Sequence, residues 1–502
     1  MKRLLLTCAA AATLALGGCQ KDLDQAPISN GSVPTFYQTA TDFSQALNST
    51  YNALRGYPDR TLIMSEVRSD NFYGASSQGV RDWDPINNFA TTLSINPYIA
   101  DTWASDYAAI FRANTFLDQL TSNGGVTGAL RARYEGEAKF IRAMMYFDLV
   151  RYFGKVPIID HALIPQDVAK VPRGNVADVY TLIISDLQTA ITNLPTTYTT
   201  TDVGRATKGA AQGLLALVYL TRSGPNYGIN GPGLASNEYD KANALLDQVI
   251  ASKVYALQAA SGTTSGYQRV FAFNNENNSE VVFDIQYIAN GTLGASYPGV
   301  MIGGGYFGYL GLSFSPGGVE TKAVSNDMVS TYATTDTRLS FNVLSSYTYQ
   351  NIAYNTPLLK KFVDVTAKGS TYTDWGNNFI VMRYADILTM KAECILHGQG
   401  GTTTDALTLV NPLRTRANQP ALTALTLSDL LTERRREFLG EGLRWHDLVR
   451  EGVVLDVMNA WVLKDDVGNK IARPITANMI LYPVPQIELS AAPGLYDQNP
   501  GY

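Results

Sequence analysis

The chain has 502 residues, 45% of them hydrophobic, 17% charged, and a formal net charge of −5. That is ample for a large core, and length alone would allow about three domains. The mild acidity, with no basic patch interleaved with aromatics, gives no reason to expect a nucleic-acid partner. At the N-terminus, Lys2 and Arg3 precede an apolar run from Leu4 to Leu16, followed by Leu16-Gly17-Gly18-Cys19. This pattern predicts a lipoprotein-type secretory signal over residues 1–18, cleaved before Cys19. Acylation of Cys19 would add several acyl chains, enough to hold a protein on a membrane. The polar stretch 19–34 reads as a lipidated, flexible tether. Cys8 leaves with the signal, so Cys394 is the remaining thiol and no intramolecular disulfide can form. Cys394 sits in an apolar helical pattern and is expected to be buried. No later apolar run is long enough for a transmembrane helix.

The first helix is expected from Phe43, Ala46, Leu47, Tyr51 and Leu54, with Thr41 as N-cap and Gly56 as stop. A loop-rich stretch from Tyr57 to Ala100 leads to a helix through Trp103, Tyr107, Ile110 and Leu117. A long helix then runs from about Leu130 to Phe153. Three helix pairs resemble one another: Glu137–Val150 with Val179–Pro195, Lys208–Thr221 with Tyr239–Ile250, and Arg383–Leu396 with Asp405–Asn418. Helices 41–55 and 103–118 would form a fourth. Each has small residues early in its first helix and Leu, Ile or Val in its second, as tetratricopeptide pairs do. Such pairs cannot bury their apolar faces singly, so the fold class is mainly α, a curved scaffold of stacked pairs. The insertions carry a few short strands and long loops. Glu280–Ile288 alternates Val281, Phe283, Ile285 and Tyr287 on one face and reads as a strand. Tyr297–Gly318 reads as a Gly-rich aromatic loop, and Tyr347–Trp375 as mixed strand and loop.

The densest charge lies in Thr432–Gly452, TERRREFLGEGLRWHDLVREG. Glu437, Glu441, Arg444, His446 and Asp447 give it the composition of an active site. Arginines around each carboxylate would keep all of them ionised, whereas an acid/base pair needs separated pKa values. Gly440 and Gly442 are expected to break the helix. A structural ion network is the reading that fits. His161, His397 and His446 are far apart in sequence, with no HExxH, CxxC or GxSxG motif, so neither a metal nor a catalytic residue nor a cofactor is expected. Gly303-Gly304-Gly305 has no strand and helix start around it to make a phosphate loop. Asn274–Glu280 lacks the spacing of a calcium loop and reads as a polar turn.

Several stretches together resemble the SusD/RagB family of outer-membrane lipoproteins: the lipobox, Thr35–Gly56, Gly136–Pro157, Gly204–Leu220, Arg383–Glu393, the charged stretch, and Leu481–Tyr502. The acidic residues after Cys19 resemble the surface-export signal of Bacteroidota lipoproteins. The resemblance implies a single helical domain over 35–502. It implies an oligosaccharide ligand, a SusC-like TonB-dependent transporter as partner, and attachment to the outer membrane through the N-terminal lipid, facing the cell exterior. The charged stretch belongs to the family's frame. A peptide-capturing lid of the same fold is the runner-up, and a glycoside hydrolase using Asp70, Asp82 or Asp84 a different-class alternative.

Carbohydrate recognition needs flat aromatic faces for sugar rings and planar polar groups for paired hydroxyls. Two regions offer both. Arg68–Asn88 holds Asp70, Asn71, Tyr73, Arg81, Trp83 and Asn88; the Gly-rich loop holds Tyr306 and Tyr309. Starch-binding members of the family draw their contacts from these two parts, with an asparagine five residues after a tryptophan, as Asn88 follows Trp83. The competing reading is that Trp83 and Tyr306 pack the loops onto the frame. Trp375 is a third aromatic candidate; Trp103, Trp445 and Trp461 lie in helical patterns and are assigned to the core.

Overall fold

The computed structural model describes residues 36–74, 81–314, 320–466 and 468–502. The signal, Cys19 and the 19–34 tether lie outside that range, as do 75–80 and 315–319 within the two loop regions. Helix α1 (Ala40–Asn52) is capped by Thr39 rather than Thr41. The Thr39 hydroxyl accepts from the Asp42 amide, and the Asp42 carboxylate accepts from the Thr39 amide at 2.8 Å. That reciprocal box outcompetes a cap inside the first turn. After α1 the chain tightens into a 3₁₀ turn that ends at Gly56.

Helices α2 (Pro97–Ser122), α3 (Gly128–Phe153), α4 (Val176–Asn193), α5 (Lys208–Ser223) and α6 (Tyr239–Ala251) follow. Each packs on the next, and α1 packs on α2. The stack has the neighbour-to-neighbour contacts of a solenoid. From Glu137 to Phe153, α3 is buried nearly all round because α2 and α4 cover opposite sides. Small residues sit where elements approach most closely. A Cβ on Gly213 of α5 would come within 2.5 Å of Met382 Sδ and 2.8 Å of Ile387 Cδ1. Glycine there lets the sheet and a later helix lie directly on α5.

The insertions carry strand β1 (Val281–Ile285), a six-residue helix α7 (Gly304–Tyr309), the hairpin β2 (Tyr347–Tyr349) and β3 (Ile352–Tyr354), and strand β4 (Phe379–Arg383). β1 pairs antiparallel with β4. It is shorter than the stretch expected, and both its faces are covered: Phe283 meets Phe140 of α3 at 4.9 Å, and Asp284 is buried as well. Alternation therefore misread a two-sided strand as one-sided. The stack resumes with α8 (Tyr384–Leu396) on α6, then α9 (Thr403–Arg416) on α8. All four expected pairs are thus packed. α10 (Leu427–Glu437), α11 (Arg444–Arg450) and α12 (Val454–Asp465) follow, and a C-terminal segment with the short helix Gln486–Ala491 comes last. Cys394 is fully buried in α8, and burial pushes its thiol well above the ordinary range. Among the described residues no helix is long and apolar enough to cross a membrane.

Candidate functional site

The charged stretch is interior structure. α10 stops at Glu437, and Gly440 and Gly442, both at φ +81°, turn the chain into α11. Glu437 is fully buried; Arg338 and Arg383 each donate to it at 2.7 Å, and Arg416 closes a third contact. Arg434 bridges Asp386 at 2.6 Å and Asp447 at 2.8 Å. Arg383 and Lys361 meet on Glu441, and Arg450 grips Glu393 with two 2.7 Å bonds. Most partners come from distant segments, so the network ties helical stack to insertions. His446 is buried against the Tyr152 ring, and burial drives its imidazole well below its usual range, leaving it neutral.

Burial alone would raise a carboxyl here; at Glu437 and Asp70 the arginines outweigh it, holding Glu437 well below its ordinary range and Asp70 at about 2, whereas at Glu393 burial prevails and the group is raised. A group depressed in the fold contributes stability above its unfolded value, near 4, and loses it as pH falls through the folded value. Asp59 at about 6 and Asp284 at about 7, raised by burial, act oppositely; the fold gains from their protonation as pH drops from about 7 towards 4. Thermal melting followed against pH should therefore hold down to about pH 4 and drop steeply from there to pH 2. A melting temperature that is flat below pH 4 would contradict the network.

The two loop regions meet. Phe72–Tyr73 pairs antiparallel with Ala323–Val324, and Ser325 donates to the Asp70 and Asn71 carbonyls. Lys322 Nζ lies 5.1 Å from the Trp83 ring centre and donates to the Val300 carbonyl at 2.6 Å. The Gly303 amide donates to the Thr321 hydroxyl, fixing the start of α7. The glycine run thus does open a helix, though a six-residue one.

On that helix Tyr306 and Tyr309 lie nearly parallel, ring centres 5.8 Å apart. The hairpin comes up beside them. Its Gln350-Asn351 turn takes positive φ at both residues, and Tyr347 and Tyr354, cross-strand partners, stack at 4.6 Å with a 4° tilt. Tyr347 sits 5.4 Å from Tyr306 and 5.3 Å from Tyr309. A Cβ on Gly305 would strike the Tyr354 ring at 2.8 Å, and one on Gly308 the Tyr349 ring. Those two glycines allow helix and hairpin to touch. Tyr309 is 49% exposed, Tyr349 and Tyr354 are half-buried, and Tyr306 and Tyr347 form the base. Burial raises the Tyr306 and Tyr347 hydroxyls to about 12, so both stay protonated donors. Gln350 and Asn351 are exposed at the hairpin tip. This surface combines aromatic faces with amides, the chemistry that ring-shaped polyols need. No part of the hairpin figured among the expected site residues; its alternating tyrosines, YTYQNIAY, were the available signal.

The first region needs correction. Asp70 is 1% exposed and held by Nε and Nη2 of Arg444, each at 2.8 Å. Asn71, equally buried, accepts from Arg435 and donates to Glu66. Both side chains are turned into the protein: Asp70 joins this region to Arg444 of α11, and Asn71 joins it to Arg435 of α10. Trp83, 6% exposed, belongs to the main core beneath Lys322, and Trp375 is wholly buried. Tyr73 is half-buried, donating to Asp466 at 2.9 Å. Asn88 is half-buried, its carbonyl accepting from the Ala472 amide. Arg81 is partly exposed and pairs with Glu320 at 3.4 Å. Trp103, Trp445 and Trp461 are core residues, as expected. A separate 350 Å³ cleft lies between Asn48, Arg55, Arg205, Gln286 and Leu293. Among the described residues no three His, Cys, Asp or Glu side chains converge as a metal site.

Residues 345–502 match the family model described as the SusD family, and residues 23–220 match one described as "Starch-binding associating with outer membrane". A SusD-like protein, P25, from Formosa agariphila is 25% identical over 96% of each chain. The starch-binding protein SusD of Bacteroides thetaiotaomicron is 25% identical over 78% of this chain and 76% of its own. Among solved structures, surface glycan-binding protein A from Bacteroides uniformis superposes with a TM-score of 0.78 at 26% identity, covering 92% of this chain and all of that one. The second and third of these are binding proteins by name. The helical stack, the closing charged network and the two matched models agree: the chain belongs to the SusD/RagB family.

Proposed function

We propose that the chain is a non-enzymatic lipoprotein that captures oligosaccharides at the cell surface. The platform of Tyr309, Tyr349 and Tyr354, backed by Tyr306 and Tyr347, is the observation that carries this reading. Its half-exposed rings offer stacking area, and Gln350 and Asn351 offer amides for hydroxyls. Arg81 stands on the neighbouring loop; Trp83, Asp70 and Asn71 support the loops from beneath. The glycan-binding names of the relatives point the same way. Cys19 would carry the lipid at the outer face of the outer membrane, and the 19–34 tether would let the body close over a SusC-like TonB-dependent transporter. Hydrolysis would need opposed carboxylates, and the Asp70 carboxylate is already clamped by Arg444.

The test is a screen of the mature chain against neutral oligosaccharides and against unstructured peptides, with product analysis. Binding of a neutral oligosaccharide without release of shorter products is expected. Binding of peptides alone would move the reading to a peptide-capturing lid, and new reducing ends would make the protein a hydrolase.

A further inference from the structure

Away from the tyrosine platform, α2, the 157–168 loop and the C-terminal segment enclose a 230 Å³ cavity. Trp103 forms one wall, with Tyr107 at 5.3 Å and Tyr496 at 6.3 Å between ring centres. The half-buried Glu488 carboxylate belongs to the same lining. No cation or hydrogen-bond donor among the described residues meets it, and burial holds it above the ordinary carboxylate range. Arg173 lies near Tyr496, but its guanidinium is turned to Asp497, Asn499 and the Phe153 carbonyl. Phe111 of the lining is 51% exposed, and Ile164 and Ile487, chain neighbours of the lining residues Leu163 and Glu488, are 60% and 67% exposed. Ile95, on the turn Leu93–Ile95 packed against the short helix Gln486–Ala491 that carries Glu488, is 73% exposed.

We infer that this cavity docks an arginine or lysine side chain carried on an apolar segment of a protein partner. Aromatic faces attract a cation through their quadrupoles, and the attraction grows as water is excluded. Glu488 supplies a charge in the lining of the cavity. The exposed isoleucines and Phe111 would cover the flanking residues of the partner, as an apolar patch around a buried anchor does. A sugar fits these surroundings poorly, because its hydroxyls would face aliphatic side chains. The cavity shares no residue with the tyrosine platform, so the inference stands apart from oligosaccharide capture.

Calorimetric titration of the full mature chain with acetyl-Leu-Arg-Leu-amide, and with acetyl-Leu-Gln-Leu-amide as its neutral counterpart, tests it. The arginine peptide is expected to bind about tenfold tighter than the glutamine peptide. In Glu488→Gln that preference should disappear, with the melting temperature and the affinity for oligosaccharide unchanged. Equal affinities for the two peptides, no binding of either, or a preference surviving in Glu488→Gln would each overturn the assignment. Because oligosaccharide binding is measured on the same variant, failure of either reading is visible without the other.

Discussion

Replacing Glu437 with alanine is expected to destabilise the folded chain by about 3–5 kcal/mol. The carboxylate is fully buried and receives Arg338, Arg383 and Arg416 from three different segments. Its loss would leave the three guanidiniums without the carboxylate they share, away from water, with Asp336, Glu280, Glu433 and Glu441 as the remaining partners. Removing one member of such a network costs more than its net contribution, because the desolvation of the others goes uncompensated. Urea unfolding followed by circular dichroism measures the change. A loss below about 1 kcal/mol, the size found for exposed ion pairs, would mean that the network does not hold the frame.

Tyr309→Ala is expected to weaken oligosaccharide binding by about tenfold or more, equivalent to about 1.4 kcal/mol. Aromatic contacts contribute about 0.5–1.5 kcal/mol beyond the area they bury, and Tyr309 is the most exposed ring of the cluster. Stability should change little, since half of the side chain already meets water. Tyr309→Phe, which keeps the face and loses the hydroxyl, should retain most of the affinity. Titration calorimetry on the three proteins reads both effects. A Tyr309→Ala chain that binds like its parent would remove this ring from the site.

The helical frame was legible because its signals are local and repeated. Apolar spacing in 137–150, 208–221 and 383–396 located helices that the structure packs in the expected pairs. The matched charges of 432–452 likewise announced an ion network, although its partners Arg338, Arg383 and Arg416 lie outside that stretch. The binding region was less legible, for a physical reason. Asp70, Asn71 and Trp83 have the composition of a sugar site, but composition does not report burial. Arg444 and Arg435, more than three hundred and sixty positions away, take the polar groups of Asp70 and Asn71. The tyrosine platform depends on the converse. Tyr309 and Tyr347 come together because glycines at 305 and 308 let α7 lie against the hairpin, a contact between segments that local periodicity cannot reveal.

The most direct test of the central claim is a crystal structure of the mature chain with an oligosaccharide that it binds. A sugar ring stacked on Tyr309, with the hairpin tyrosines and the Gln350-Asn351 turn around it, is the predicted result. A sugar seated instead in the cleft between Asn48, Arg55 and Gln286, with the tyrosine platform empty, would contradict it.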